Sequence, residues 1–599
     1  MTQLAGLPEP IPLKVLFGSA DQRLPRISPD GKYYAYLADD AKGVTNVFVK
    51  PVQFDTAGET PSTTRRRILY VQDTGGDENF HLHVVDFELD DATHAAREIR
   101  VRDVTPFGPV TVMPHAIFLS SALPDSAVIS LNKRDARFFD AHALDLNTGE
   151  MTLVLENPGD VSEWLVDDAL RVVGAVAMDA GDGSTMLRVP STESAEWKTL
   201  ARWPHGETAD VRSVSKDGTS VYVKTSLLHT GDATAAAGET NTSRLVLLSL
   251  ADGTELQVIA HDPTYVVINY TKPRLEIVDA SIRDDLEHLV TLAQGEFTLV
   301  SASQDNGTWL FADGPDNASL KYYIYDRATK RHALLFDSRP ELAKYTLVAM
   351  EPRVIKTSDG EDMVVYLSLP HGIPHEKLPF VLNVHGGPWG RDHWMNLGDR
   401  QWGATMQQDL TDAVEYVIKQ GLADPDRIAI YGGSYGGYAV LAGLAFTPEL
   451  YACGVDIVGP SHVKTLFESI PPYWATMKKT LVLRVGDVEA DDELNRKISP
   501  FYHADKITKP LLIAQGANDP RVKQAESDQI AKKLFENKHE VQYVLYTDEG
   551  HGFARPANRL DFVWRAEQFL AAHLGGRTMP KDEELVAGNS AVDIDAATL

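Results

Sequence analysis

The sequence has one cysteine in 599 residues, Cys453. An intramolecular disulfide is therefore excluded, and so is a zinc site built on several thiolates. Such sparing use of cysteine fits a reducing cytoplasm, the compartment expected here. Basic residues are also in short supply: 57 Lys plus Arg face 85 Asp plus Glu, for a formal net charge of −28. That surface repels phosphate backbones and anionic headgroups, so neither nucleic acid nor membrane is an expected partner. No run of about 18 apolar residues occurs, and no transmembrane helix is expected. The opening "MTQLAGLPEPIPLKVLFGSADQ" has no basic segment followed by a long apolar one, so no secretory signal is expected either. Metal and organic cofactors are not implied.

What is present divides into two halves with different periods. The chain is too long for one ordinary core, so two or more domains are expected. From about residue 20 to 350 it reads as short strands separated by turn signals. "RISPDGKYYAYLAD" is a turn feeding an alternating strand, Tyr33 to Leu37, and "SVSKDGTSVYVKTSL" repeats the plan around Asp217 and Gly218. "ALDLNTGEMTLVLEN" and "LLSLADGTELQVIAHD" each give strand, turn, strand. Such recurrence without intervening helices predicts an all-β array, and a β-propeller of about seven blades fits the length.

A hairpin at 353–370 opens the second half, where strands alternate with helices. "FVLNVHGG" reads as a buried strand, "ATMQQDLTDAVEYVIKQG" as an amphipathic helix and "RIAIYGG" as the next strand. "ACGVDIVG", "PLLIAQGAND" and "VQYVLYTDEG" continue the series, with "QAESDQIAKKLFEN" as a helix between the last two. That alternation predicts an α/β domain with a parallel sheet covered on both faces. The expected organisation is a propeller over 1–350, an α/β domain over 351–577 and an acidic flexible tail over 578–599.

One motif carries chemistry. Gly432-x-Ser434-x-Gly436 alone is weak, since about 0.2 such matches are expected by chance in a chain of this length. Its context is stronger, because a strand runs into it, a helix runs out, and Gly433 and Gly437 extend the small-residue cluster, as a nucleophile elbow needs. In an open α/β sheet, ligands gather beyond the carboxyl ends of the strands. Asp519 lies just beyond "PLLIAQGAN" and His551 just beyond "VQYVLYTDEG". The order Ser434, Asp519, His551 is that of α/β-hydrolases, with His551 as the base and Asp519 orienting it. Asp548 and Glu549 are rival carboxylates too close in sequence to reach the far ring nitrogen easily. Oxyanion donors are expected from the backbone N–H groups of Gly387, in "VHGGPWG", and of Tyr435.

These residues resemble the prolyl oligopeptidase family of serine peptidases, closest to its acylaminoacyl-peptidase-like branch. The resemblance rests on "HGGPWGRD", "DRIAIYGGSYGGYAVLAG", "DIVGPS", "ESIPPYW", "GANDPRV" and "DEGHGFARP", with "ISPDGKYYAYL" and "GGDENFHLHVVD" in the first half. It covers about residues 20–575 and implies a peptidase whose propeller caps the active site and admits short peptides. By the same resemblance Tyr473 and Trp474 would form an apolar wall near the substrate, or else pack as a lid. No acidic pair like that by which dipeptidyl peptidases hold a free N-terminal amine is evident, which tilts the reading toward blocked N-termini or internal bonds. "GDEN", Gly76 to Asn79, offers acidic residues that serve equally as propeller structure. A homo-oligomer is compatible with the sequence.

The chain departs from the family pattern at one place. Between "HGGPWG" and the following helix the family carries a further helix, a strand and a glycine-rich loop, whereas this chain has only "RDHWMNLGDRQ", Arg391 to Gln401. A crossover needs about a dozen residues and a strand about five more, so one helix–strand unit is missing. One edge of the "FVLNVHGG" strand is then expected to lack backbone partners. The function read from the sequence is a serine peptidase acting on short peptides through an acyl-enzyme. An esterase or amidase on small acyl substrates, or a catalytically impaired peptide-binding variant, would use the same residues.

Overall fold

The computed structural model describes residues 9–599 apart from 40–44, 53–65, 90–95, 191–196, 208, 228–238, 262–276, 278, 390–396 and 585. Six antiparallel sheets precede residue 340, two of three strands and four of four strands, and in each the strands pair in chain order. One turn recurs between the first and second strands of several of them. Asp30 accepts from Ser28 Oγ and the Lys32 N–H, Asp217 from Ser215 Oγ and the Thr219 N–H, and Asp305 from Ser303 Oγ and the Gly307 N–H. The aspartate in each repeat thus closes its own turn, leaving the next residues free to start a strand.

Neighbouring sheets share their cores, as blades must. Val128 and Ala141 of the third sheet pack with Trp164 and Ala175 of the fourth, and Leu165 and Leu187 of the fourth with Val221 and Val246 of the fifth. Ile27, Tyr34 and Tyr36 of the first sheet pack with Leu310, Ile324 and Phe336 of the last, which joins the ends of the array. The sequence reading of about seven blades meets six sheets among the described residues. Between the fifth and sixth sheets those residues form a helix, Arg283–Leu292, that covers Trp309 and Tyr325 of the last sheet instead of adding strands.

The second half holds a six-stranded sheet. Leu378–Val384, Ala423–Gly433, Cys453–Ile457, Leu511–Gly516 and Val541–Tyr546 run parallel in that order, and Ala591–Asp593 adds an antiparallel strand at the far side. Helices Tyr435–Phe446 and Gln524–Glu536 pack on one face, and Pro556–Leu574 on the other. Among the described residues no helix is long and apolar enough to cross a membrane.

Two sequence expectations are corrected here. "FVLNVHGG" is an edge strand, not a buried one: only Val384 is buried, and Val381 is 40% exposed. Among the described residues no strand covers it, and the Met350–Lys356 and Asp362–Ser368 hairpin stands as a separate two-stranded sheet. The shortened connection instead lays Trp402 on Tyr435 and Tyr438, with the indole N–H groups of Trp389 and Trp402 buried and without a hydrogen-bond partner among the described residues. Each such group costs about 1–3 kcal/mol. The second correction concerns the tail, read as flexible from its acidic, aromatic-free composition. Its apolar residues are few but well placed: Val586 and Ala596 are buried, Ile594 and Leu599 pack on the core, and Ala591–Asp593 pairs with Val541–Tyr546.

Asp456 lies within the apolar core on Cys453–Ile457, fully buried. Its carboxyl faces the first turn of the Tyr435–Phe446 helix, where a β-carbon on Gly437 would fall 2.2 Å from Oδ1. Glycine in "GGSYGG" therefore makes room for this acid. Neither oxygen has a hydrogen-bond partner of good geometry, and burial pushes the carboxyl up to about 7, with only the Gly459 N–H favouring ionisation. A carboxyl raised above its unfolded value costs nothing below pH of about 4 and loses stability as pH climbs toward its folded value. Asp456→Asn should therefore gain on wild type by a few kcal/mol between about pH 4.5 and 7.5, measured by denaturant unfolding at both pH values. Parallel pH dependence of the two proteins would show that Asp456 does not carry the effect.

Candidate active site

Ser434 stands at the end of Ala423–Gly433 with φ +59° and ψ −120°, a backbone conformation that non-glycine residues avoid. Two hydrogen bonds hold it there. Its N–H donates to the Ile457 carbonyl (2.9 Å) on the neighbouring strand, and its carbonyl accepts from Tyr438 (3.0 Å) in the helix that follows. Close packing explains the flanking glycines, since a β-carbon on Gly436 would meet the Val384 carbonyl oxygen at 2.2 Å. The strand–turn–helix context expected from the sequence is present, and it thrusts the hydroxyl outward.

The three strand-end residues are brought together. His551 Nε2 lies 3.0 Å from Ser434 Oγ, and Nδ1 lies 2.7 Å from Asp519 Oδ2. Asp519 has a side chain with no exposed surface; its other oxygen accepts from the Arg521 and Val522 N–H groups at 2.8 and 2.9 Å. Those two donors and the imidazole offset the desolvation of the carboxylate. The arrangement can pull a proton from Ser434 to Nε2 while Nδ1–H stays on Asp519. The rival carboxylates are committed elsewhere. Asp548 accepts from Asn558 and Ser590 and pairs with Arg555, and Glu549 accepts from the Ala554 and Arg555 N–H groups and from Asn558.

The "HGGP" turn reaches the same point. The β-carbon position of Gly386 lies 3.4 Å from Ser434 Cβ and 4.0 Å from its Oγ, so the turn lies against the elbow serine. His385 Nδ1 pairs with the Gly386 carbonyl (2.7 Å), so this histidine closes the loop. Tyr435 opens the elbow helix, whose N-terminus is the end that favours negative charge.

The first half contributes directly. The loop between Arg66–Gln72 and His81–Leu89 lies against the loops that carry Asp519 and His551: the Gly75 carbonyl accepts from Asn518 Nδ2 (2.8 Å), and a β-carbon on Gly76 would fall 2.3 Å from the Gly550 nitrogen. Glu78, at φ +56°, projects from that loop. Its carboxylate accepts from the Tyr473 hydroxyl (2.6 Å) and pairs with Arg521 Nε (2.7 Å). Burial, then the hydrogen bond to Glu78, pushes the Tyr473 phenol well above its ordinary pKa, so it remains a donor. Trp474 meets Tyr473 edge-on at 6.5 Å and lies under the Arg521 guanidinium at 5.9 Å. Tyr473 and Trp474, read from the resemblance as an apolar wall or a lid, thus stand in a polar cluster with Glu78 and Arg521. Sequence reading left Glu78 undecided between structure and site, and missed Arg521. The one signal for Arg521 is its place two residues beyond Asp519.

Comparison with known proteins agrees with this geometry. Residues 378–577 match the profile of the prolyl oligopeptidase family. The dipeptidyl aminopeptidase BIII of Pseudoxanthomonas mexicana is 35% identical over 649 aligned positions, covering 97% of this chain and 91% of the relative. Since 97% of this chain is about 581 residues, about 68 of those positions have no residue here, enough to hold the missing helix–strand unit. The dipeptidyl peptidase family member 6 of Caenorhabditis elegans is 32% identical, covering 95% of this chain and 87% of its own. Among solved structures, a Mycobacterium tuberculosis puromycin-hydrolyzing peptidase superposes with a TM-score of 0.66 at 18% identity, over 96% of this chain and 98% of that one, and shows the same fold. A propeller joined to an α/β-hydrolase domain, with relatives matched along nearly its full length, places the chain in the prolyl oligopeptidase family of serine peptidases.

Proposed function

We propose that Ser434 is the nucleophile, His551 the general base and Asp519 its orienting carboxylate. In this reading Ser434 Oγ attacks the scissile carbonyl as His551 Nε2 takes its proton. The oxyanion is held by the N–H groups of Gly387 and Tyr435. His551 returns the proton to the leaving amine, and water, activated in the same way, releases the acyl group. The observation that carries this is the single imidazole in hydrogen-bond reach of both Ser434 Oγ and Asp519 Oδ2.

The same geometry favours short peptides with a free N-terminus, contrary to the tilt toward blocked N-termini. Glu78 is a largely buried carboxylate, with 14% of its side chain exposed, beside residues two and more positions from the triad aspartate. Tyr473 and Arg521 hold it in place, and an ammonium group arriving there would gain a charge-assisted hydrogen bond. The names of the two relatives, both dipeptidyl peptidases, support this assignment. Substrates are then dipeptidyl-bearing peptides, with the amine at Glu78 and the scissile bond at Ser434.

A fluorophosphonate probe should label wild type and leave Ser434→Ala and heat-denatured protein unlabelled; a folded wild type that resists the probe would refute the nucleophile assignment. Asp519→Asn should lower kcat roughly 10⁴-fold with the fold intact, because the imidazole loses its tautomer. For Glu78→Gln, kcat/KM on a dipeptidyl anilide with a free amine should drop about 10- to 100-fold, in line with about 1.5–3 kcal/mol for a charged hydrogen bond. An N-acylated form of the same anilide should be indifferent to the change. Equal losses on the two substrates would assign Glu78 to structure alone.

A further inference from the structure

The His551 loop is held from three directions. Within the α/β domain, the Ala517 N–H donates to the Tyr546 carbonyl (3.0 Å) and the Asn518 N–H to the Glu549 carbonyl (2.9 Å). From the propeller, Gly76 abuts Gly550. The third direction is the tail. Asn589 makes a tight turn, its N–H and Nδ2 both donating to the Val586 carbonyl, and delivers Ser590 to the back of the loop.

Every polar group of Ser590 is used there. Its N–H donates to Asn558 Oδ1 (2.8 Å), its hydroxyl donates to Asp548 Oδ1, and its carbonyl accepts from the Thr547 N–H (3.3 Å) and hydroxyl (3.4 Å). Asn558, itself 1% exposed, passes the contact on through Nδ2 to Asp548 (2.9 Å) and Glu549 (2.8 Å). Glu549, 2% exposed, then caps the Ala554 and Arg555 N–H groups at 2.9 Å. This frame grips residues 547–549 on one side of the histidine and 554–555 on the other. Between them lie Gly550, His551, Gly552 and Phe553, whose ring packs on Tyr546 and Phe562 at 4.5 and 5.2 Å, and a backbone hydrogen bond runs from the Gly552 N–H to the Gly550 carbonyl. Glycine on both sides gives the His551 backbone no stiffness of its own, so the place of the imidazole depends on the frame beside the Phe553 anchor and the Asp519 hydrogen bond.

We propose that Ser590 is a positioning residue for His551, acting through Asp548 and Asn558, and that the tail is a working part of the active site. The inference rests on the reading of His551 as the base. Ser590 has no apolar group beyond its β-carbon, and the tail's core contacts belong to Val586, Ala591, Ile594, Ala596 and Leu599. Loss of its hydroxyl therefore loosens the frame without removing the packing.

The test compares Ser590→Ala, Ser590→Thr and Asp548→Asn with wild type, reading fluorophosphonate labelling rate, kcat and KM on a dipeptidyl anilide, and Tm. Ser590→Ala should label and turn over about 10-fold more slowly with KM unchanged, since displacement on the order of 1 Å costs up to ~100-fold. Ser590→Thr, which keeps the hydroxyl, should restore the rate, and Asp548→Asn should reproduce the loss. Wild-type rates in Ser590→Ala would overturn the proposal and leave the triad standing. So would a rate that falls only in step with Tm and is not restored by threonine. A wild type that does not label would overturn the reading of the site and this proposal with it.

Discussion

A carboxylate taken wholly out of water is the constraint around which the catalytic half is arranged. Asp519 has no exposed side-chain surface, and a buried charge persists only where hydrogen bonds replace its hydration. Two backbone N–H groups from its own turn satisfy one oxygen, and the other is left for an imidazole. His551 must therefore be delivered to one place, on a loop that glycines make pliable. The loop's outer contacts follow from that need: the Asn518 turn, the propeller loop at Gly76 and the tail at Ser590 each supply part of the support that the loop lacks.

Much of this was legible in the sequence because it is local. The S-x-D turns at Asp30 and Asp217 announce themselves in four residues, the elbow serine in five, and the change from period two to helical spacing marks the passage from one half to the other. The strand-end placement of Asp519 and His551 needed only the rule that strands in such a sheet end on a common side. Residues were harder to read where their meaning depends on a distant partner. Glu78 is one acidic residue in an acidic chain until Tyr473 and Arg521 are beside it. The tail looked disordered by composition, since its few apolar residues matter through where they land and not through how many there are. "FVLNVHGG" was read as buried from its own apolar content, whereas its exposure is set by a neighbour the chain does not have.

The missing helix–strand unit tests how far the fold depends on continuity of the sheet. Leu378–Val384 keeps its parallel pairing with the elbow strand, and that pairing holds the "HGGP" turn at Ser434. The cost is local to the outer side: an unpaired strand edge, a detached hairpin, and two indole N–H groups shut away from water by the packing of Trp389 and Trp402. Asp519 and His551 follow strands on the other side of the elbow strand, at sheet positions that the gap does not touch.

The contact between Gly76 and Gly550 joins two backbones with no side chain between them. Such a seam cannot widen gradually, as interlocked side chains can when they change rotamer; it is either shut or parted. Parting it would also withdraw a support from the His551 loop. The fit between the two halves and the placement of that histidine are thus tied together at one point, by a pair of residues that have no side chains at all.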